Sequence, residues 1–215
     1  MGEDRLRHAF EAVPRQGFLR AADRARAGHD GPLPIGHDQT NSQPRTVAAM
    51  LDLLDVRPGQ RVLDVGAGSG WTTALLAALV GPEGRVLGLE VVPEIASWGA
   101  DNLRAHLASP TGPPPTGQTG PPGDHTGPRG EQAVGQATIE LAEPGVLGRA
   151  GEGPWDRILV SAMARTLPEE LVDQLGDGGR MVCPVAGEMV LVERHGAERT
   201  VSWHGAYRFV PLVGS

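Results

Sequence analysis

The stretch Val62-Leu63-Asp64-Val65-Gly66-Ala67-Gly68-Ser69-Gly70-Trp71 places an acid and three alternating glycines between a short apolar run and a helical one. Glycines there tolerate positive φ and let a ligand approach the backbone. Turns at the carboxyl edge of a strand are also where open α/β sheets hold their ligands. Glu90 follows Gly70 by 20 residues and ends the next apolar run. A carboxylate so placed can accept hydrogen bonds from both hydroxyls of a ribose. The pattern predicts a nucleoside ligand held by Asp64, Gly66, Gly68, Gly70 and Glu90. A dinucleotide fingerprint needs a third glycine at position 71, where Trp71 stands instead. Asp64, two residues before the first glycine, suits a ligand with a positive ammonium end and would repel a pyrophosphate. Nicotinamide binding is therefore the second choice. The lysine of nucleotide-hydrolysing loops is missing from the motif.

Gly-x-Gly-x-Gly after an acid resembles the first motif of S-adenosylmethionine methyltransferases, which directs attention to a methyl acceptor. Gln39-Thr40-Asn41-Ser42-Gln43-Pro44 precedes an amphipathic run. Ser42 or Gln43 reads as a helix N-cap with Pro44 in the first turn. Free N–H groups, the helix dipole and the hydroxyls of Thr40 and Ser42 would then form a pocket for an anion. A carboxylate acceptor, with a reference pKa of about 4, is already ionised at neutral pH. It needs to be held in line with the methyl group and needs no strong base. The seven histidines show no ligand or triad spacing and read as surface residues, with His37 alone near this pocket.

The elements that must carry these residues are legible. Arg5–Ala12 is a short helical stretch. Pro44–Leu54 sets Val47, Met50, Leu51 and Leu54 on one helical stripe. Arg61–Val65 and Arg85–Glu90 read as strands, each followed by a helix, Trp71–Val80 and Pro93–Leu107. Further on, Ala137–Leu141, Asp156–Ser161 and Gly179–Val185 read as strands and Pro168–Leu175 as a helix. Met189–Arg194 and Thr200–Trp203 are extended stretches. The alternation predicts an α/β, Rossmann-like doubly wound sheet with helices on both faces, mostly parallel, with an antiparallel C-terminal edge.

Composition fits one domain over residues 1–215. The chain has 31 glycines and 19 prolines, well above average usage, yet 40% hydrophobic residues and no glycine-every-third period. Part of the excess is local: Ser109–Gly130 holds seven prolines and six glycines and reads as a flexible insertion. Net charge is -7, every basic residue is arginine, and no basic block exists, which argues against nucleic acid or an anionic membrane as partner. One cysteine, Cys183, excludes an internal disulfide framework and a cysteine-rich zinc site, and no metal is expected. No apolar run approaches a membrane span and no signal peptide opens the chain, so the expected location is the cytoplasm.

Beyond the glycine motif, a wider set of stretches resembles the protein-L-isoaspartate O-methyltransferase family. They are Val13-Pro14-Arg15-Gln16-Gly17-Phe18, Pro32-Leu33-Pro34-Ile35-Gly36 and the Gln39–Pro44 run. Downstream, Pro154–Val160, Leu167-Pro168, Gln174-Leu175, Gly178-Gly179-Arg180 and Phe209-Val210-Pro211-Leu212 are similar to the same family. The resemblance covers roughly residues 8–108 and 137–213. It implies methylation of the α-carboxylate of L-isoaspartyl residues in damaged proteins or peptides, using S-adenosylmethionine and leaving S-adenosylhomocysteine. Repair then runs through a succinimide. It also implies that Ser42 is the active-site serine, with Thr40 and Asn41 on the same cofactor-facing turn.

Two departures stand out. The family usually has an apolar residue where Asn41 stands. It also has Gly-Asp-Gly after the third strand, where this chain has Glu143-Pro144-Gly145. Glu143 and Gly145 are the available replacements for the adenine contact. Two other readings follow from these departures: methylation of an aspartyl carboxylate in a dedicated ribosomal peptide, or a degenerate nucleoside- or peptide-binding module without catalysis.

Overall fold

The structure, a computed structural model, describes residues 2–108 and 135–213. The Gly/Pro-rich segment 109–130 lies outside them. The chain runs α1 (Glu3–Ala12), β1 (Leu33–Gly36), β2 (Gln39–Asn41), α2 (Pro44–Leu54), β3 (Arg61–Val65), α3 (Trp71–Val80) and β4 (Arg85–Glu90). It continues through α4 (Pro93–Ala108), β5 (Gln136–Leu141), β6 (Trp155–Val160), α5 (Glu169–Val172), β7 (Leu175–Val185), β8 (Glu188–His195) and β9 (Glu198–Ala206). Seven strands form one sheet in the order β5-β4-β3-β6-β7-β8-β9. The first five are parallel, and β8 and β9 add an antiparallel edge. Strand order reverses between β3 and β6, which opens a crevice at their carboxyl ends.

Alternation along the strands feeds two cores. Val62, Val86, Leu159 and Val182 face α1 to α4, packing on Leu51, Leu75, Leu76 and Leu103. Leu63, Leu87, Ile158 and Met181 face the other way, towards Trp155, Leu171 and Val172. Helices cover both faces unevenly, since α5 is a single turn. The helix expected over Pro168–Leu175 stops at Val172. Leu175 is buried and pairs with Trp155, so β7 starts there and runs through four residues of turn-like sequence. A register shift opposite Trp155–Arg157 accommodates them, and a Cβ at Gly179 would lie 2.7 Å from the Gly176 carbonyl oxygen.

The hairpin β1–β2 has no counterpart among the sequence-based elements. Leu33 and Ile35 are buried on one side, while His37 and Asp38 turn the chain with φ of 51° and 57°. That left-handed pair is the geometry of a two-residue hairpin turn. Among the described residues no helix is long and apolar enough to cross a membrane, and no group of three or more His, Cys, Asp and Glu residues could hold a metal. Most of the described histidines are exposed, but His106 is half-buried against Phe18, and that burial lowers its pKa.

Candidate active site

The turn after β3 has left-handed φ at all three glycines, 84° at Gly66, 54° at Gly68 and 87° at Gly70. The N–H groups of Gly66 and Ala67 donate to the Leu89 carbonyl, and the Gly68 N–H donates to Glu90 Oε2 at 2.9 Å. Glu90 Oε1 accepts from the Val92 N–H at 3.0 Å. The expected ribose acid therefore also staples the glycine turn. Each carboxylate oxygen retains acceptor capacity, and Glu90 lines the cleft with Gly66 and Gly68.

Gly70 serves a different purpose from the one its spacing predicts. It caps α3 behind the cleft, where an added Cβ would stand 2.8 Å from the Gly99 carbonyl oxygen and 3.0 Å from Ile139 Cδ1. Here glycine permits the turn to lie directly on α4. Asn102 of α4 adds a hydrogen bond to the Ser69 carbonyl at 3.0 Å. The bulk of Trp71, where a dinucleotide fingerprint would have glycine, is taken up by the N-terminal segment. The indole packs edge-on against Phe10 and donates to the Val13 carbonyl at 3.1 Å.

Asp64 is also displaced from its expected role at the ammonium end of a ligand. It is fully buried, and its Oδ2 accepts from Thr72 Oγ1 at 2.9 Å and Thr73 Oγ1 at 2.7 Å. Oδ1 has no hydrogen-bond partner among the described residues. Burial pushes the carboxyl up to about 6; the two threonine hydroxyls oppose the shift and the charge of Glu90 adds to it. A folded-state pKa above the ordinary 3.8 favours the folded protein while the group is protonated. That contribution is complete below the ordinary value and is lost as pH rises through about 6. Urea unfolding of the native protein and Asp64→Asn at pH 5 and pH 7.5 tests this. The native protein should lose on the order of 1–2 kcal/mol more than the variant between the two pH values.

From the glycine turn the cleft continues past Glu90 to the 142–148 turn, enclosing about 220 Å³. Leu89, Val91, Val146 and Leu147 give it apolar walls. Glu143 and Gly145 both lie on the wall, as does Pro144. The Glu143 carboxylate is largely exposed and only 3.8 Å from Arg149 Nη1, so it is loosely held.

A second, polar pocket of about 70 Å³ adjoins the cleft. Its walls include Thr40, Ser42, Gln43, Thr46, Ser161 and Arg208. Thr40, Ser161 and Val210 border both cavities, and a narrow niche between Ser42 and Gly68 connects the two turns. Sequence reasoning missed Ser161 and Arg208. The first ends the β6 run and the second immediately precedes the Phe209–Leu212 stretch, so both sat beside recognised signals. His37 borders neither cavity.

The acceptor turn is held from below. Arg15 is buried, and its Nε donates to Asn41 Oδ1 at 2.6 Å. Its Nη1 and Nη2 donate to the carbonyls of His29, Gly31, Asn41 and Ser42 at 2.8 to 3.1 Å. Burial lowers its pKa to about 10, with Asp30 opposing the shift, so it stays a cation at neutral pH. Asn41 Nδ2 donates to Ser69 Oγ at 2.9 Å. Asn41 borders the niche rather than the main cleft, and its amide is engaged inside the protein. The helix begins as expected, with Pro44 in its first turn and the cap at one of the two residues named. Gln43 is the N-cap residue without a side-chain cap bond, and the Arg45 N–H donates to Asp30 Oδ1 at 3.2 Å. With one of its N–H groups taken by a carboxylate, the α2 terminus is a weaker anion site than the sequence suggests.

Comparison with known proteins is consistent with this geometry. The sequence matches the family described as Protein-L-isoaspartate(D-aspartate) O-methyltransferase over residues 1–215. It is 40% identical to the protein-L-isoaspartate O-methyltransferase of Methanopyrus kandleri, over 98% of this chain and 84% of the relative. It is 43% identical to that of Aeropyrum pernix, over 98% of this chain and 73% of the relative. Among solved structures, a protein-L-isoaspartate O-methyltransferase superposes with a TM-score of 0.77 at 22% identity, covering 99% of this chain and 62% of that one. A Plasmodium falciparum protein described as the same enzyme, in complex with S-adenosyl-L-homocysteine, superposes with a TM-score of 0.75 at 24% identity, covering 100% of this chain and 93% of that one. The two structures share the fold, and the full-length sequence match carries the assignment: the chain belongs to the protein-L-isoaspartate(D-aspartate) O-methyltransferase family.

Proposed function

We propose that this protein transfers a methyl group from S-adenosylmethionine to the free α-carboxylate of L-isoaspartyl residues in proteins or peptides. The observation that carries the reading is the chemistry of the polar pocket beside the cleft. Hydroxyls, an amide and one guanidinium line it, with no carboxylate or imidazole among the lining residues. Amine and phenol acceptors need a group to take a proton, whereas a carboxylate arrives ionised. A pocket that can donate hydrogen bonds but holds no base matches such an acceptor.

The residues of the cleft fit the donor. S-adenosylmethionine, when bound, supplies an electrophilic methyl group on a sulfonium sulfur. Glu90 is placed to accept from the ribose hydroxyls, and Gly66 and Gly68 leave room for close backbone approach. The apolar walls suit a flat base, and Glu143 at the rim can turn to an exocyclic amino group. Asp64 acts indirectly, by fixing the first turn of α3 through Thr72 and Thr73. On the acceptor side, Thr40 and Ser42 donate to the carboxylate and hold one oxygen towards the cleft. After methyl transfer, the following backbone nitrogen attacks the ester carbonyl and expels methanol. The resulting succinimide hydrolyses partly to normal aspartate.

Asn41, the residue that favoured a dedicated peptide substrate, has its amide engaged by Arg15 and Ser69. It gives no separate support to that alternative. The test is a pair of peptides differing only in an isoaspartyl or aspartyl linkage. Base-labile methyl ester should form on the first alone, and equal labelling of both would overturn the reading. Ser42→Ala should lower turnover by about tenfold or more, the worth of one hydrogen bond to a charged group. Its affinity for S-adenosylhomocysteine, measured by calorimetry, should stay close to native. Unchanged turnover would remove Ser42 from the acceptor site.

A further inference from the structure

The polar pocket has two ends. Thr40, Ser161 and Val210 border both the pocket and the cleft, so the reacting carboxylate must lie against them. Arg208 and Phe209 line the pocket but not the cleft, which puts them on the side away from the methyl group. The Arg208 side chain is exposed and makes no hydrogen bond or ion pair with any described residue. Its backbone is fixed on both sides. The Tyr207 N–H donates to the Gly187 carbonyl at 2.8 Å, and the Met163 N–H donates to the Val210 carbonyl at 2.7 Å. A free guanidinium thus projects from an anchored segment at the outer end of an acceptor pocket whose lining carries no negative charge.

A forked guanidinium closing on the acceptor itself would engage both carboxylate oxygens, one of which must remain free to attack. Its position away from the cleft assigns it another partner. We propose that Arg208 forms a subsite for a second carboxylate, the side chain of an acidic residue next to the isoaspartyl acceptor. The enzyme thereby favours damaged sites with an acidic neighbour. This inference rests on the acceptor-pocket reading given above.

The experiment compares isoaspartyl peptides carrying Glu or Gln at the position before, or the position after, the acceptor. The readout is the ratio of kcat/KM for Glu over Gln in the native protein, Arg208→Gln and Arg208→Glu. A half-exposed charge pair predicts a native ratio of about fivefold at one of the two positions. The ratio should approach one in Arg208→Gln, fall below one in Arg208→Glu, and shrink with added salt in the native protein. A native ratio of one at both positions would overturn the subsite. So would a ratio that survives in Arg208→Gln. Loss of activity by Arg208→Gln on all peptides with the ratio preserved would instead place the guanidinium on the acceptor carboxylate. Failure of the native protein to methylate any isoaspartyl peptide would defeat the acceptor reading itself, a result distinct from all of these.

Discussion

Gly99→Ala is expected to lower stability by about 1–3 kcal/mol and to weaken S-adenosylhomocysteine binding by about tenfold or more. The sign is the informative part. Within a helix, alanine is normally better than glycine by about 1 kcal/mol. Gly99 lies inside α4, but a Cβ there would collide with the Gly68 carbonyl oxygen and stand 3.3 Å from the Ser69 carbonyl carbon. These atoms are backbone and cannot rotate aside. Either α4 moves outward or the turn shifts, and a shifted turn breaks the Gly68 N–H contact to Glu90. Thermal or urea unfolding and calorimetry with S-adenosylhomocysteine measure the two effects. A stabilised variant with native affinity would show that α4 does not support the turn.

The second large effect is expected at Arg15. Arg15→Met keeps an apolar stem of similar length but takes the guanidinium from five acceptors, Asn41 Oδ1 and the carbonyls of His29, Gly31, Asn41 and Ser42, of which the His29 carbonyl keeps the Gly31 N–H as a donor. A buried acceptor left unpaired costs about 1–3 kcal/mol, and water can reach some of these five. The net loss should be about 3–5 kcal/mol, with methyl transfer falling further as the turn bearing Ser42 loosens. Arg15→Lys should recover only part, because a single ammonium cannot reproduce a planar fork to five acceptors. Urea unfolding and peptide turnover of both variants provide the check; Arg15→Met at native stability would contradict the role.

What could be read in advance follows from which forces were local. The amphipathic stripe of α2 and the apolar runs of β3 and β4 gave boundaries that match the structure, because each element's burial is written in its own residues. The hairpin β1–β2 was invisible because both strands are short and the first contains proline and glycine. Arg15, distant in sequence, helps hold the end of the second strand at Asn41. The true start of β7 was hidden by Gly176–Gly179, whose glycines resemble a turn but serve a bulge. At the site, Glu90, Gly66 and Gly68 line the cleft. Asp64 and Gly70 belong to the same motif but point into the protein, since spacing along a turn does not tell its inner side from its outer one. Ser161 and Arg208 sit beside recognised signals, but only the meeting of distant segments puts them on one pocket, and the partners of the Asn41 amide, Arg15 and Ser69, are likewise distant in sequence.

The shared wall of the two cavities joins Thr40, Ser161 and Val210, separated by more than a hundred residues and then by about fifty. During synthesis from the N-terminus, the glycine turn and most of the sheet can assemble well before Val210 leaves the ribosome. The stretch around Val210 then docks on Met163 and closes the donor and acceptor sides in one event. A chain stalled before that point carries every residue of the glycine motif yet lacks part of the wall that the two cavities share.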